Sequence, residues 1–251
     1  MLKERIEDNI IIATFDNGKT NSITRETLYA LRAVVRKAHE DSIKGIILTG
    51  QGKIFCSGFD LPMFLGFKDL DEIVEFFTEE EEILLELFLC PKPVVVAMNG
   101  HAVAGGLIFS MAADYRIVKN HPKISLGMSE IKLGLPLSFA QAEIIRFGFE
   151  SDRKFRDLIF FGRMIDVTEA RDLALVDEVV EEADLLPRAK AVISQWIDNP
   201  GRAFIKLKEV LRKPTADRIR ESLDREPWQE TLNCFFNPEV RSSLEFVRSM
   251  M

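Results

Sequence analysis

Pro93-Val94-Val95-Val96-Ala97-Met98-Asn99-Gly100-His101-Ala102-Val103-Ala104-Gly105-Gly106-Leu107, with its continuation Lys123-Ile124-Ser125-Leu126-Gly127-Met128-Ser129-Glu130, is the stretch around which the rest of the chain is organised. The apolar run from Pro93 to Met98 reads as a short strand buried on both faces. Asn99 to Gly106 is a glycine-containing turn, and Leu107 opens a helical pattern through Ile108, Met111 and Ala112. A strand therefore feeds a turn, and the turn feeds a helix N-terminus. The first amides of a helix lack intrahelical partners and sit at the positive end of its dipole. A glycine there lets a substrate oxygen approach the backbone closely. Lys123 to Glu130 reads as a second short strand ending in a carboxylate. An anion-seeking turn followed by an acid makes a plausible enzyme site; two ordinary loops of an α/β domain are the plainer alternative.

Upstream, Asn9 to Phe15 is a strand rich in β-branched residues and ends at Asp16-Asn17-Gly18. Thr24 is suited to N-cap a helix whose apolar face is Leu28, Leu31, Val34, Val35 and Ala38. Ile43 to Thr49 is the next strand, and the β-α-β order implies a right-handed crossover. No G-x-G-x-x-G follows the first strand, and neither Gly50-Gln51-Gly52-Lys53 nor Gly100 to Gly106 has the form of a P-loop. Phe55-Cys56-Ser57-Gly58-Phe59-Asp60-Leu61 reads by itself as a turn with a partly buried Phe. Leu70 to Leu89 is an acidic amphipathic helix. Its run Glu79-Glu80-Glu81-Glu82 is expected to be a solvated face, since four adjacent positions point around the helix.

Length and composition bound the possibilities. The 251 residues suffice for one substantial domain with an appendage, or for two small ones, and 47% hydrophobic content supports a large core. A formal charge of −7 argues against nucleic acid. Cys56, Cys90 and Cys234 are odd in number and widely spaced, and read as free thiols in a reducing compartment. No apolar leader core stands at Met1 to Asp8, and no run approaches transmembrane length, so a soluble, cytoplasmic protein without membrane contact is expected. His39, His101 and His121 show no metal-ligand spacing with one another or with the cysteines, and no metal is expected.

After Glu130, Phe139 to Phe147 and Arg153 to Phe161 read as helices. Asp166 and Glu169 suit a capping box for a helix from Val167 to Ala174, and Val176 to Val180 is a short extended piece. Beyond Ala183 no strand pattern is found: 183–198, 202–211, 216–235 and 238–250 all read as helical, with Pro227 expected to kink or split the third. The expected division is a core over 1–198 and a helical region over 199–251. The faces carrying Ile205, Val210 and Leu211, and then Leu244, Phe246 and Val247, are expected to seek a partner beyond the core.

Taken together, Ser57-Gly58-Phe59-Asp60-Leu61, the Asn99-to-Gly106 turn and Asp114-Tyr115-Arg116 resemble the crotonase superfamily, the enoyl-CoA hydratase/isomerase family. The resemblance extends over nearly the whole chain, including Asn21-Ser22-Ile23 and Gly162-Arg163-Met164-Ile165. Each motif alone is weak; their order and spacing are specific. The resemblance implies an α/β fold, a crotonase-like spiral of β-β-α turns with a C-terminal all-helical trimerisation region, assembled as a homotrimer or a hexamer. It implies acyl thioesters of coenzyme A as substrates, with coenzyme A entering as part of the substrate and no separate cofactor. The two amides that bind the thioester oxygen match Phe59 and Gly105, and Ser22, Ser57, Asp60 and Leu61 fall among the matched substrate-binding positions. Such donors are typically worth about 10²–10³ in rate.

The departures narrow the reaction. Hydratases of this family carry a glutamate three residues after the oxyanion glycine and a second further on. Here the first position is Ile108 and the second matches Glu130, with a two-residue insertion allowed after Asp114. Hydration needs a second polar partner, whereas a double-bond shift needs one base and a place to hold the dienolate. Gly127-Met128-Ser129-Glu130 with Asn99-Gly100-His101-Ala102 is most similar to the monofunctional Δ3,Δ2-enoyl-CoA isomerases, and Leu135-Pro136-Leu137-Ser138 departs from the Pro-Gly-rich loop of hydratases. The resemblance thus implies an isomerase with Glu130 as its proton shuttle. The alternatives are a hydratase, hydrolase or lyase of the same fold, or a non-catalytic acyl-CoA-binding oligomer.

Overall fold

The computed structural model describes residues 1–225 and 228–250. In chain order its elements are strands β1 (Leu2–Glu7) and β2 (Ile10–Phe15), helix α1 (Arg25–Lys37), strands β3 (Gly45–Gly50) and β4 (Ile54–Cys56), helices α2 (Leu61–Gly66) and α3 (Leu70–Phe88), strands β5 (Val94–Met98) and β6 (His101–Val103), helix α4 (Gly105–Met111) and strands β7 (Tyr115–Lys119) and β8 (Leu126–Gly127). Then come a 3-10 turn (Glu130–Leu133), helices α5 (Phe139–Phe147) and α6 (Asp152–Ile159), strand β9 (Met164–Ile165), helix α7 (Val167–Asp172), strand β10 (Glu178–Val180) and helix α8 (Leu185–Ile197). Helix α9 (Ala203–Arg225), a 3-10 segment (Trp228–Phe236) and helix α10 (Pro238–Ser249) close the chain.

The strands divide between two sheets. One has the order β1-β2-β3-β5-β7-β10 and the other β4-β6-β8-β9. Successive pairs β3/β4, β5/β6 and β7/β8 each place one strand in either sheet, which is the expected spiral. From β2 to β10 the larger sheet is parallel; β1 is an antiparallel edge strand that the sequence pattern does not reveal. Only Leu2 of its six residues is buried, so it has no apolar alternation to read.

Pleating sorts the apolar run of β5 onto two cores. Val94, Val96 and Met98 join the main cluster, while Val95 and Ala97 pack with Ile12, Ile47 and Ile117 beneath Ala189 and Ile193 of α8. That arrangement explains why this strand is buried along its whole length. The second short strand is confined to Leu126–Gly127, and Glu130 opens the 3-10 turn that follows. The turn is closed by Gly134 at φ 77° and by the Leu135 N–H donating to the Glu130 carbonyl at 3.0 Å.

The acidic run on α3 is not uniformly solvated. Glu79 and Glu82 reach outward to Arg25 (3.3 Å) and Arg32 (2.7 Å) of α1. Glu80 and Glu81 are buried, at 0% and 1% exposed. The cause is packing on two sides: α3 lies against both α1 and α5, so consecutive residues around it meet two neighbours before they meet water.

The C-terminal helices are tied to the body. Lys208 and Arg212 of α9 reach Asp114 at 2.6 and 2.8 Å, and Asp114 also accepts the Val94 N–H at 2.8 Å. All three charged side chains are buried, so removing one partner costs about 3–5 kcal/mol. The break expected between residues 211 and 216 is absent: α9 runs unbroken from Ala203 to Arg225 with Pro214 inside it. The expected break at Pro227 lies outside the described residues. Leu244 is buried and turns toward the body, whereas Leu207, Val210, Leu211 and Phe246 are exposed at 64–68%. The expectation that the Leu244 face looks outward is therefore corrected. At α7 the Asp166 carboxylate caps the Thr168 and Glu169 N–H groups, but the Glu169 side chain pairs with Arg163, so the reciprocal half of the box is not formed. All three cysteines are free, and no helix among the described residues is long and apolar enough to cross a membrane.

Candidate active site

Three adjacent parallel strands, β4, β6 and β8, deliver the site. Beyond their C-terminal ends come Ser57-Gly58-Phe59, Ala104-Gly105 and Ser129-Glu130. The first two loops touch. Gly58 has φ +97°, and a Cβ there would fall 2.8 Å from the Ala104 Cβ and 3.0 Å from the Gly105 nitrogen, so only glycine fits. Ala104 itself is held at φ 53°, ψ −129°, an unfavourable conformation for a residue with a Cβ.

The amides in these loops are arranged by their neighbours. Ile23 makes an isolated parallel bridge to Phe59: its N–H donates to the Gly58 carbonyl at 2.8 Å, and its carbonyl accepts from the Asp60 N–H at 2.9 Å. The N–H of Phe59 between them faces the opposite side. Gly105 is the first residue of α4, where no intrahelical acceptor exists. Among the described residues neither N–H donates to another backbone or side-chain group. The Phe59 ring lies over Gly105, 3.1 Å from where a Cβ would be.

Glu130 belongs to the third loop. The residue is half-buried, and its Oε2 is buried with no hydrogen-bond partner. Desolvation pushes the group up to about 7, against the smaller pull of the Glu130 and Ser129 backbone N–H groups. A carboxyl balanced near neutrality can both take and return a proton.

Glu130 faces a cavity of about 280 Å³. Ser57, Phe59, Leu61, Ala104 and Ile108 line it from the first two loops, α2 and α4. Ile108 is therefore in the cavity wall, where it presents hydrocarbon and no acid. Phe64 and Phe77 form part of the wall; Phe76 is fully buried in the core behind them. No group of three or more His, Cys, Asp or Glu residues among the described residues could hold a metal ion.

Two of the expected binding residues serve the framework. Ser22 Oγ donates to Asp60 Oδ2 at 3.0 Å, and Asp60 Oδ1 accepts the Met63 N–H at 2.9 Å as the N-cap of α2. Neither lines the cavity. Ser57 and Leu61 do, and Ser57 Oγ is buried without a partner.

The sequence reading missed several wall residues. Leu133, Leu135 and Leu137 come from the loop after Glu130, and Phe235, Leu244 and Val247 from the C-terminal segment. Gln141 of α5 is also part of the wall, and its Nε2 donates to Glu80 Oε2 at 3.2 Å. Burial pushes the Glu80 carboxyl well above the usual carboxylate range, reinforced by the neighbouring Glu81. The spacing of Ser138 and Gln141 is that of an [ST]-x-x-[EQ] capping box with both halves formed; it marks a helix start and does not place Gln141 at a cavity.

Residues 5–241 match the family model described as enoyl-CoA hydratase/isomerase. The rat protein named enoyl-CoA delta isomerase 1, mitochondrial, is 29% identical over 87% of this chain and 76% of its own length. A probable enoyl-CoA hydratase of Bacillus subtilis is 26% identical over 92% of this chain and 93% of its own. The solved structure of human mitochondrial delta3-delta2-enoyl-CoA isomerase superposes with a TM-score of 0.90 at 25% identity, covering 99% of this chain and 97% of that one. With the match spanning nearly its full length and the crotonase fold in place, the chain belongs to the enoyl-CoA hydratase/isomerase family.

Proposed function

We propose that this protein is an enoyl-CoA isomerase that moves the double bond of a 3-enoyl-CoA to the 2-position, with Glu130 as its proton shuttle. The observation that carries this reading is the pairing of one near-neutral carboxyl, Glu130, with the hydrocarbon of Ile108 in a single cavity. Ionised Glu130 removes a proton from C2. The electron pair moves through the carbonyl to give a dienolate, and the same carboxyl returns the proton at C4. The N–H groups of Phe59 and Gly105 hold the thioester oxygen while it carries the charge. Their lack of protein acceptors supports that role, since donors fixed in advance lower the cost of charge development. The apolar wall keeps out competing water.

Assembly as a trimer or a dimer of trimers is part of the proposal, supported by the exposed band of Leu207, Val210 and Leu211 on α9. A second reading is hydration of 2-enoyl-CoA, favoured by the relatives named as hydratases. Incubation with 3-enoyl-CoA and with 2-enoyl-CoA, following isomerised and hydrated products in parallel, separates the two. Rapid conversion of the first substrate with negligible hydration of the second is expected; efficient hydration would overturn the isomerase reading.

A further inference from the structure

Gln141 is a polar residue of the cavity wall for which the isomerisation has no use. It is 3% exposed. Its carboxamide is held from two sides: Oε1 accepts the Ser138 backbone N–H at 3.1 Å, and Nε2 donates to Glu80 Oε2 at 3.2 Å. A carboxamide offers two N–H donors and two acceptor lone pairs, so one of each is left over. Behind it, Glu80 Oε1 is buried with no partner, and neither oxygen of Glu81 has one. Most of the cavity is hydrocarbon, including Leu135, Leu137, Phe235 and Leu244. A plain alkyl chain filling that space would leave the spare N–H and lone pair of Gln141 unused, whereas a hydroxyl there would add a hydrogen bond within an apolar wall, typically about tenfold in affinity.

Resting on the reading of this cavity as an acyl site, we propose that Gln141 is a specificity-determining residue and that the preferred acyl chain carries a hydroxyl group that pairs with its carboxamide. A hydroxyl is the neutral group that both donates and accepts, matching the one N–H and one lone pair that remain. A ketone would leave the lone pair unused. A chain carboxylate would be brought toward Glu80 and Glu81, where Glu80 Oε1 and both Glu81 oxygens already lack donors. Glu80 and Ser138 are positioning residues here: they fix the plane of the Gln141 amide so that it cannot turn away from the cavity.

The test is binding of saturated acyl-CoA thioesters of medium and long chain, measured by calorimetry on the wild-type protein. Each is used unsubstituted and with one hydroxyl placed in turn at each carbon beyond C4. At one position the hydroxylated chain is expected to bind about tenfold or more tighter than its parent. Gln141→Leu and Gln141→Met should bring that ratio to one or below, with the plain chain binding at least as well as before. Weaker binding of every hydroxylated chain to wild type would overturn the proposal without recourse to any variant, and would mean that water stays on Gln141 beside a plain chain. An unchanged ratio in a folded Gln141→Leu protein would overturn it too. Saturated thioesters are not consumed, so the binding ratio stands even where 3-enoyl-CoA gives no product, which would count against the isomerase reading alone. Failure of every acyl-CoA to bind would overturn both.

Discussion

Ile108 and Glu130 stand on the wall of one cavity, the first a hydrocarbon and the second a carboxyl raised to about 7 by desolvation. The family position that elsewhere carries a second acid is here filled by a side chain that can neither hold water nor move a proton. On the proposed isomerase reading, the site works with that one base.

Glu130→Gln keeps the shape of the carboxyl and removes its basicity. Isomerisation should fall by about 10²–10⁴ while acyl-CoA binding stays close to wild type. Near-normal turnover by the folded variant would eliminate the proposed mechanism.

The same group sets the pH profile. The ionised form takes the C2 proton, and desolvation favours the neutral form, so kcat/KM should fall about tenfold per unit on the acid side of roughly pH 7. A profile already flat down to the ordinary carboxylate range would show that Glu130 is not the base.

Ile108→Glu tests the other wall. Addition of water to 2-enoyl-CoA should become measurable, at the cost of a lower melting temperature, because an acid among apolar neighbours is poorly solvated. Hydration by the unmodified protein at the rate of the variant would remove the explanation.

Glu81 links stability to pH. Burial raises its carboxyl from 4.5 to about 7, with the nearby Ser138 hydroxyl pulling the other way without forming a well-made bond. The folded value lies above the unfolded one, so the fold prefers the protonated form. That contribution is complete below about 4.5 and is lost as pH rises through about 7. Glu81→Gln should flatten the dependence and stabilise the protein by at most roughly 3 kcal/mol near pH 8. Denaturant melts across the range check it, and an unaltered slope in the variant would refute the assignment.

The exposed face of α9 is expected to bury itself in a trimer. Light scattering at micromolar concentration should give a multiple of the monomer mass, and Val210→Glu with Leu211→Glu should release monomers. A monomeric mass for the intact protein would refute the assembly. Truncation after Pro200 is expected to misfold the protein, since Phe235, Leu244 and the Lys208–Asp114 latch are lost with it.

What could be read in advance follows the kind of signal each residue leaves. The run from Val94 to Met98 announces itself because both faces of β5 are buried, and Gly105 because a glycine opens a helix. Glu130 stands out in the sequence as the carboxylate closing an apparent strand and by its match to a family position, although β8 is only two residues long. Glu80 and Glu81 were misread because charge alone does not reveal that a helix is packed on two sides. Leu244 was assigned to an outward face because helical periodicity identifies an apolar stripe without saying what it meets. Gln141 left a capping signature, but capping explains a helix start and gives no hint that the same carboxamide borders a cavity. β1 left no trace, because an edge strand with one buried residue has no alternation to find.

Phe59, Gly105 and Glu130 come from separate turns of the spiral, yet they emerge from neighbouring strands of the small sheet. The sheet fixes the spacing of the three loops independently of their contents. A substitution at one strand end can therefore alter which atom is protonated, or how long a chain is admitted, without shifting its neighbours. On the proposed reading, such modularity makes Ile108 in place of an acid a local edit: the loops assigned to hold an enolate stay as they are, and the reaction changes at one wall position.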